Sequence, residues 1–310
     1  MRIALTGSNG FIGSHVHVAA LAAGHHVIPI RRVYADSPDF FRLFKDCKVV
    51  CHLAAYIPIL MADMHPETFR ECFEGNVLFT TKVLRAAELA GVRRFVNFGS
   101  GNAYAMRQDF PDESAPLYPT SRGTPYLASK VAQETVVAGW RGLESCTLRL
   151  SSVYGPGLSK GLLPSLVRRM LRGDMIVLEN GGAYGADYVS VHDVVQATLA
   201  ACESHVTGPV NIGSGSRTTI GQVMDLLLQA DLGTAQVIIK HGDHPRYCGF
   251  PALNINKARA EFNFRPRSIK DGLPEYVAWL RQNGDTDARQ NPAHPPDRAA
   301  DVPASGNDSG

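Results

Sequence analysis

The chain has 310 residues, of which 45% are hydrophobic and 19% are charged, and its formal net charge is +2. These values are typical of a soluble globular protein that forms one large domain or two modest ones. They argue against a nucleic-acid or membrane partner, because the sequence has no basic run and no apolar run of transmembrane length.

The cysteines and histidines give no sign of disulfides or of a metal site. The six cysteines form no CxxC pair, and several fall in predicted core strands. We therefore expect buried reduced thiols, which fit a cytoplasmic protein. The sequence opens directly in a predicted strand, without the basic and apolar regions of a secretory leader. The eleven histidines are scattered, so no metal is predicted.

The first predicted element is a short strand, Arg2–Thr6, which leads through a glycine-rich turn into a helix. Gly7 permits a tight turn, Gly10 allows close approach of the backbone to phosphates, and Gly13 allows close packing of helix and strand. Backbone N–H groups and the partial positive charge of the helix start can together hold a pyrophosphate. We predict a dinucleotide site here, made by Gly7, Asn9, Gly10, Phe11, Ile12 and Gly13.

Strand-like and helical stretches alternate through the first half of the chain. This alternation predicts an α/β fold with a doubly wound parallel sheet and helices on both faces. Only about fifteen residues separate the second strand from the third, so a strand that usually lies there is expected to be missing or vestigial. The predicted strands are Arg2–Thr6, His26–Ile30, Val49–Leu53, Arg94–Phe98 and Cys146–Leu150, and the main helices are Phe69–Ala90 and Ala128–Trp140.

The end of the second strand bears on the choice of cofactor. An acidic residue there would bind the ribose hydroxyls of NAD and repel a 2′-phosphate. Arg31 and Arg32 occupy this position, and two guanidinium groups can bind a phosphate bidentately. NADP is therefore favoured, although Asp36 is close enough to keep NAD possible and the arginines can also be a solvated pair.

The third strand ends in small residues, as is typical where a flat cofactor lies against the backbone. Leu53, Ala54 and Ala55 are assigned to the cofactor on this ground. Asn76 falls inside the next predicted helix, where asparagine is a poor helix former. It is a candidate for a backbone or water contact in the catalytic site, with an ordinary surface asparagine as the alternative.

A tyrosine and a lysine four residues apart carry the predicted chemistry. Tyr126 and Lys130 share one helix face, and Ser100 ends the preceding strand at the carboxyl edge of the sheet. A phenol has a pKa of about 10, which a nearby ammonium and the positive nicotinamide lower. Tyr126 can then exchange the proton of a hydroxyl while a hydride moves. Ser100 would hold the substrate oxygen. A tyrosine and a lysine at this spacing also occur by chance in many proteins.

The order of these motifs resembles the extended short-chain dehydrogenase/reductases, and more narrowly the NAD-dependent epimerase/dehydratase family that acts on nucleotide sugars. The motifs are Thr-Gly-x-x-Gly-x-x-Gly, His-Leu-Ala-Ala, Asn76, Ser100 to Tyr104, Tyr126-x-x-x-Lys130 and the segment Arg149–Gly157. The resemblance, over about residues 1–280, implies a Rossmann-type sheet, a Ser100–Tyr126–Lys130 centre with Lys130 on the cofactor ribose, and a nicotinamide dinucleotide. It also implies a smaller C-terminal substrate-binding domain and, often, a homodimer formed through a helix pair.

Within the resemblance, the predicted domains are interleaved. Residues 1–154 and about 188–213 are assigned to the Rossmann domain, and residues 155–187 and 214–282 to the substrate-binding portion. In the Arg149–Gly157 segment, Val153 is assigned to the cofactor, and Ser152 to the substrate in place of the usual asparagine. Residues 283–310 have almost no core-forming side chains and are expected to be a disordered tail.

Two departures from the family pattern bear on the reaction. Gly101 and Asn102 stand where dehydratases of this group carry acids, which argues against dehydration and leaves Asn102 as a substrate contact. Ala186 replaces an arginine that usually contacts the nucleotide diphosphate, which weakens the case for a nucleotide-linked substrate. Arg168, on the predicted helix Leu162–Arg172, and Arg246 are candidate replacements, with a solvated basic face as the alternative.

The sequence therefore predicts an NADPH-dependent keto reductase that acts on a sugar or nucleotide-sugar carbonyl. The principal alternative is a nucleotide-sugar 4-epimerase with tightly bound NAD. Two further alternatives are a reductase of a non-nucleotide ketone, favoured by Ala186, and a non-catalytic NADP-binding sensor.

Overall fold

The computed structural model describes residues 1–59, 61, 63–104, 110–118, 123–229, 235–240 and 249–283. Its strands are β1 (Arg2–Thr6), β2 (His26–Ile30), β3 (Val49–His52), β4 (Arg94–Ser100), β5 (Glu144–Leu150), β6 (Ser152–Tyr154), β7 (Ile176–Leu178), β8 (Gly185–Ser190), β9 (Gly208–Ile212), β10 (Arg217–Thr219) and β11 (Val237–Ile239). Its α-helices are α1 (Phe11–Ala22), α2 (Pro66–Phe73), α3 (Phe79–Leu89), α4 (Thr124–Gly139), α5 (Leu162–Arg172), α6 (Val191–Glu203), α7 (Ile220–Gln229), α8 (Asn256–Phe262) and α9 (Ile269–Asn283).

A six-stranded sheet in the order β2-β1-β3-β4-β5-β9 is the centre of the structure, and all its neighbouring strands are parallel. Side chains of α1 and α6 pack on one face, and side chains of α3 and α4 pack on the other. The doubly wound, Rossmann-like α/β fold is thus confirmed. The five predicted strands are present, with some ends displaced by one or two residues.

The region between β2 and β3 contains no strand. Residues 31–48 form two short 3₁₀ helices instead, Arg32–Tyr34 and Phe40–Phe44. Phe40 and Phe44 are buried with their ring centroids 5.2 Å apart, and they pack in the same apolar cluster as α3. The expectation of a missing strand is confirmed, since residues 31–48 contain only these two 3₁₀ helices, and the second packs its aromatic side chains into the core.

The predicted helix Phe69–Ala90 is interrupted. The chain forms α2, then one π-helical turn over Glu74–Leu78, then α3. A Cβ on Gly75 would lie 2.5 Å from Cβ of Tyr56, so this turn needs a glycine where it passes the segment after β3. Asn76, next to it, bonds to that segment. The single extra residue of a π turn often occurs at a functional site.

The second half of the chain adds smaller sheets. Strands β10, β8 and β6 form a three-stranded sheet and β11 pairs with β7, and helices α5, α7 and α9 pack with them around a separate buried apolar cluster. The domain boundaries given above stay a prediction. The tail assigned to residues 283–310 lies outside the described residues after Asn283. None of the described helices is long and apolar enough to cross a membrane.

A buried ion pair joins α4 to the sheet. Nε of Arg149 on β5 donates to Oε1 of Glu134 on α4 at 3.0 Å, and both side chains are nearly inaccessible to solvent. Arg149 also donates to the hydroxyl of Tyr104 at 2.7 Å and to the carbonyl of Glu113 at 3.0 Å. Arg149 thus connects β5 to α4 and to the segments that contain Tyr104 and Glu113.

We expect Glu134→Ala to lower the free energy of unfolding by about 3–5 kcal/mol, because it leaves the Arg149 charge buried and uncompensated. Asp174→Ala, which removes a pair with Arg172 at the surface, is the matched control and should cost less than about 1 kcal/mol. Urea unfolding of both variants measures the difference, and equal losses would contradict the structural role of the buried pair.

Candidate functional site

The glycine turn between β1 and α1 has no room for side chains. Gly7 has φ +71°, and a Cβ on it would lie 2.7 Å from the backbone nitrogen of Ala54. A Cβ on Gly13 would lie 2.0 Å from the carbonyl oxygen of Gly7. The first turn of α1 contains no acidic residue, so its backbone N–H groups face no negative side chain of their own helix. Such a turn can accept an anion.

The two arginines after β2 lie differently. Both are exposed, but the guanidinium carbon of Arg32 also lies 5.6 Å from the ring centroid of Phe79, and one of its nitrogens approaches Gly75. The nearby carboxylate of Asp36 is bonded to the ammonium of Lys82. Asp36, the acidic residue that keeps NAD possible, is thus paired with Lys82. Arg31 and Arg32 both lie directly after the end of β2.

Residues after β3 line the edge of the glycine turn. The backbone N–H of Ala54 donates to Oγ1 of Thr6 at 3.1 Å, which fixes the segment against β1. Leu53 and Ala54 are partly buried and Ala55 is exposed. The predicted cofactor residues from the two strands are therefore brought together at the carboxyl edge of the sheet.

Asn76 uses its side chain entirely within the protein. Its Nδ2 donates to the carbonyl of Tyr56 at 3.0 Å and to Oγ of Ser129 at 2.8 Å, and its Oδ1 accepts from the backbone N–H of Tyr56 at 2.6 Å. Ser129 in turn donates to the carbonyl of Tyr126. The asparagine thus makes the backbone contact that its position suggests, and it reaches the predicted catalytic helix through a serine.

Ser100, Tyr126 and Lys130 lie on the two elements that end at this edge. Ser100 is the last residue of β4, and its Oγ accepts from the N–H of Asn102 at 3.3 Å. Helix α4 begins at Thr124, after Gly123 with φ +88°, and Pro125 in its first turn suits a helix start. Lys130 is 4% exposed, and its ammonium donates to Oε1 of Gln133.

Burial dominates the electrostatics of this pair. Desolvation raises the pKa of Tyr126 to about 12 and lowers the pKa of Lys130 to about 7. In the chain by itself, desolvation determines the direction of the shift in the pKa of Tyr126. The physical reason is that both groups are desolvated, and that the ammonium of Lys130 donates to Gln133, one turn further along α4. The predicted lowering by the ammonium and the nicotinamide together stays a prediction.

The predicted substrate contacts are more dispersed. Asn102 and Ser152 are partly buried near the ends of β4 and β5, and Val153 pairs with Val189 of β8. Nη1 of Arg168 on α5 donates to the carbonyl of Ser159. Arg246 lies outside the described residues, so its assignment stays a prediction.

Ala186 is a core residue of β8. It is 3% exposed and packs in the apolar cluster of the second half of the chain. On the neighbouring strand, the guanidinium carbon of Arg217 would lie 2.7 Å from a Cβ on Gly185. Sequence reasoning did not single out Arg217, because only the pairing of β10 with β8 brings it beside this position.

Three further polar residues, which the sequence did not predict, form a hydrogen-bonded series that starts at Lys130: Gln133, Thr80 and His52. All three are at most 1% exposed and are bonded to one another or to Lys130. The spacing of Gln133 three residues after Lys130 is the one sequence signal for this set. Among the described residues, no group of three or more histidine, cysteine or acidic side chains could hold a metal ion.

Comparisons with known proteins agree with the fold. Residues 3–213 match the model of the NAD dependent epimerase/dehydratase family. The UDP-glucose 4-epimerase of Mycolicibacterium smegmatis is 30% identical over 91% of this chain and 99% of that protein.

Two solved structures are similar over nearly the whole described chain. The UDP-glucose 4-epimerase of Thermotoga maritima, solved with UDP-glucose, has a TM-score of 0.79 and 28% identity, and covers 91% of this chain and 99% of its own. A protein named MoeE5, solved with UDP-glucose and NAD, has a TM-score of 0.78 and 25% identity over the same shares.

We expect Gly13→Ala to lower the free energy of unfolding by about 1–3 kcal/mol, because its new Cβ would overlap the carbonyl of Gly7. Gly139→Ala is the matched control, since a Cβ there meets nothing within 4 Å and alanine is the better helix former. Thermal and urea unfolding measure both variants. A Gly13→Ala protein as stable as the control would contradict the close packing of the turn.

Proposed function

Because the chain belongs to the NAD dependent epimerase/dehydratase family, we propose that this enzyme inverts a secondary alcohol of a nucleotide sugar, in the manner of a 4-epimerase. The family and the similar structures with NAD and UDP-glucose support a nicotinamide dinucleotide and a nucleotide sugar as its ligands. The observation that carries the proposal is that Ser100 ends β4, while Tyr126 and Lys130 lie one turn apart on α4, which packs against β4.

The residues present fit a dinucleotide. A Cβ at Gly7 or Gly13 would fill the turn, and the first turn of α1 carries no acidic side chain that would repel a pyrophosphate. The turn residues 7–13 would hold the pyrophosphate, and Lys130 would bind the ribose. Residues 53–55 and Val153 would contact the rest of the dinucleotide. When bound, the nicotinamide supplies the acceptor and donor of a hydride.

Within this arrangement Tyr126 is the proton acceptor and donor for the sugar hydroxyl. Its raised pKa keeps the phenol protonated near neutrality, so removal of the substrate proton needs additional positive charge beside it. The Lys130 ammonium and the positive ring of the oxidised cofactor would supply that charge. Ser100 would orient the substrate oxygen by a hydrogen bond from its hydroxyl.

Epimerisation is preferred to the other reactions of the family. Gly101 and Asn102 follow Ser100 and cannot act as general acids, which speaks against loss of a hydroxyl group. The relative from M. smegmatis and the T. maritima structure are both named 4-epimerases. The comparisons therefore favour the epimerase alternative over the NADPH-dependent keto reductase that the sequence analysis placed first.

A keto reductase is the second candidate, and one observation favours it. Arg31 and Arg32 stand at the end of β2, and the Asp36 carboxylate is bonded to Lys82. These cations suit the 2′-phosphate of NADP, which is typical of net reduction. The buried Ala186 leaves a substrate without a nucleotide open for this candidate. The homodimer and the cytoplasmic location stay predictions.

We expect Tyr126→Phe to lower the turnover number by at least about 100-fold, because a general acid–base group contributes about that much or more. Tyr276→Phe is the matched control; it removes a hydroxyl that donates to the carbonyl of Leu158 in the second half of the chain, and it should keep full activity. NMR of UDP-glucose and UDP-glucuronic acid incubated with enzyme and NAD, with absorbance of the reduced cofactor, measures both variants. Equal activity of Tyr126→Phe and wild type would contradict the assignment.

The same assay separates the two candidate reactions. An epimerase inverts the sugar with no net change in reduced cofactor. A reductase consumes NADPH in proportion to the alcohol formed.

We expect Arg31→Ala to weaken NADPH binding by about 10- to 100-fold, since it removes a charged hydrogen bond to the 2′-phosphate. NADH binding should change by less than about twofold. Arg42→Ala, which removes an exposed arginine paired with Asp39, is the control. Fluorescence titration with each nucleotide measures the affinities. Equal weakening of NADH and NADPH by Arg31→Ala would contradict a role in recognising the phosphate.

A further inference from the structure

A buried chain of polar side chains connects Lys130 to the end of β1. The ammonium of Lys130 donates to Oε1 of Gln133, and Nε2 of Gln133 donates to Oγ1 of Thr80 at 2.8 Å. The same Oγ1 lies 2.8 Å from Nε2 of His52, whose Nδ1 lies 2.8 Å from Oγ1 of Thr6. Gln133, Thr80 and Thr6 are fully inaccessible to solvent, so this chain is a built feature of the core.

The direction of each hydrogen bond in this series of side chains follows from the position of the Thr80 hydroxyl proton. Thr80 donates its proton to the backbone carbonyl of Asn76, so Nε2 of His52 and Nε2 of Gln133 must both donate to Thr80. Nδ1 of His52 then accepts from Thr6, whose Oγ1 accepts from the N–H of Ala54. The carboxamide of Gln133 therefore has its oxygen fixed toward Lys130, because its nitrogen is committed to Thr80.

Lys130 is the member of this hydrogen-bonded series of side chains whose charge changes with pH. Burial lowers the pKa of His52 to about 3, so its ring is neutral. Burial also lowers the pKa of Lys130, and Glu134 on the same helix opposes this effect while it is paired with Arg149. The other titratable groups that face this region are Tyr126, one turn before Lys130 on α4, and Cys72 of α2, which lies beside Tyr126.

We propose that Gln133 is a positioning residue for Lys130. Its amide oxygen, oriented by Thr80, accepts one of the three ammonium protons, stabilises the charged form of the lysine and directs the remaining two donors toward the catalytic edge. The proposal rests on the proposed function, in which the Lys130 ammonium binds a cofactor ribose. Beyond that function, the proposal makes the charge of Lys130 depend on Gln133, three residues further along α4.

The geometry also predicts that Thr80 and Gln133 act as one unit. Without the Thr80 hydroxyl, the carboxamide of Gln133 loses the acceptor that fixes its orientation. Thr80→Val should therefore change Lys130 in the same direction as Gln133→Leu, and the double variant should differ little from either single one.

The test uses two substitutions at Gln133 with opposite effects on an ammonium. Gln133→Leu removes the acceptor and disfavours the charged lysine, whereas Gln133→Glu supplies a carboxylate and favours it. The readout is the affinity for NADH and NADPH, by fluorescence titration between about pH 5 and 9. Wild-type affinity should fall as the pH rises through the pKa of Lys130. The midpoint should move at least about one pH unit lower in Gln133→Leu, and higher in Gln133→Glu.

A second measurement needs no dinucleotide. The titration of Lys130 can be followed by carbon-13 NMR of protein labelled at the lysine ε-carbon, with Lys130→Arg for assignment. Thr198→Val, which removes a buried hydroxyl bonded to the carbonyl of Val194, is the matched control for a lost core hydrogen bond and should leave the titration unchanged. Unfolding curves identify variants that fail to fold.

The outcomes separate the two proposals. Opposite shifts of the Lys130 titration in Gln133→Leu and Gln133→Glu support the positioning role. Shifts in the same direction, or no shift in either folded variant, overturn it. A wild-type protein that binds neither NADH nor NADPH overturns the proposed function, and the NMR titration then still decides the role of Gln133.

Discussion

The arrangement of this site depends on the burial of one ammonium group. Placing the charge of Lys130 inside a protein is unfavourable unless acceptors are provided, and Gln133 provides one. Gln133 in turn needs Thr80, and Thr80 needs the carbonyl of Asn76. A single buried charge therefore connects α4, the π turn and the end of β3, which are elements that lie far apart in the sequence.

The parallel sheet brings the remaining parts of the site to the same place. Ser100 ends β4, residues 53–55 follow β3, and the glycine turn follows β1, so all of them lie at the carboxyl edge. Helix α4 is held against this edge by the buried pair of Glu134 and Arg149. The scaffold thus brings the ends of β1, β3 and β4 to one edge of the sheet, with α4 packed against β4.

Much of this arrangement could be predicted from the sequence, because it depends on local patterns. The strand–glycine–helix unit, the alternation of short strands with helices and the missing strand all follow from short-range residue types. The π turn at Asn76 could not be predicted, since Gly75 and Asn76 pack against and bond to Tyr56, about 20 positions earlier in the chain. The roles of His52 and Gln133 could not be predicted either, for a related reason. Each is an ordinary polar residue of a strand end or helix until tertiary packing removes it from water.

The central claim is that a hydride leaves and returns to one carbon of a nucleotide sugar at the edge where Ser100, Tyr126 and Lys130 lie. The most direct measurement is mass spectrometry of cofactor and sugar after the enzyme is incubated with NAD and UDP-glucose deuterated at carbon 4. We expect deuterium in the cofactor during turnover and on carbon 4 of the inverted sugar. Loss of the deuterium to water, or inversion in protein that holds no nicotinamide nucleotide, would contradict the central claim.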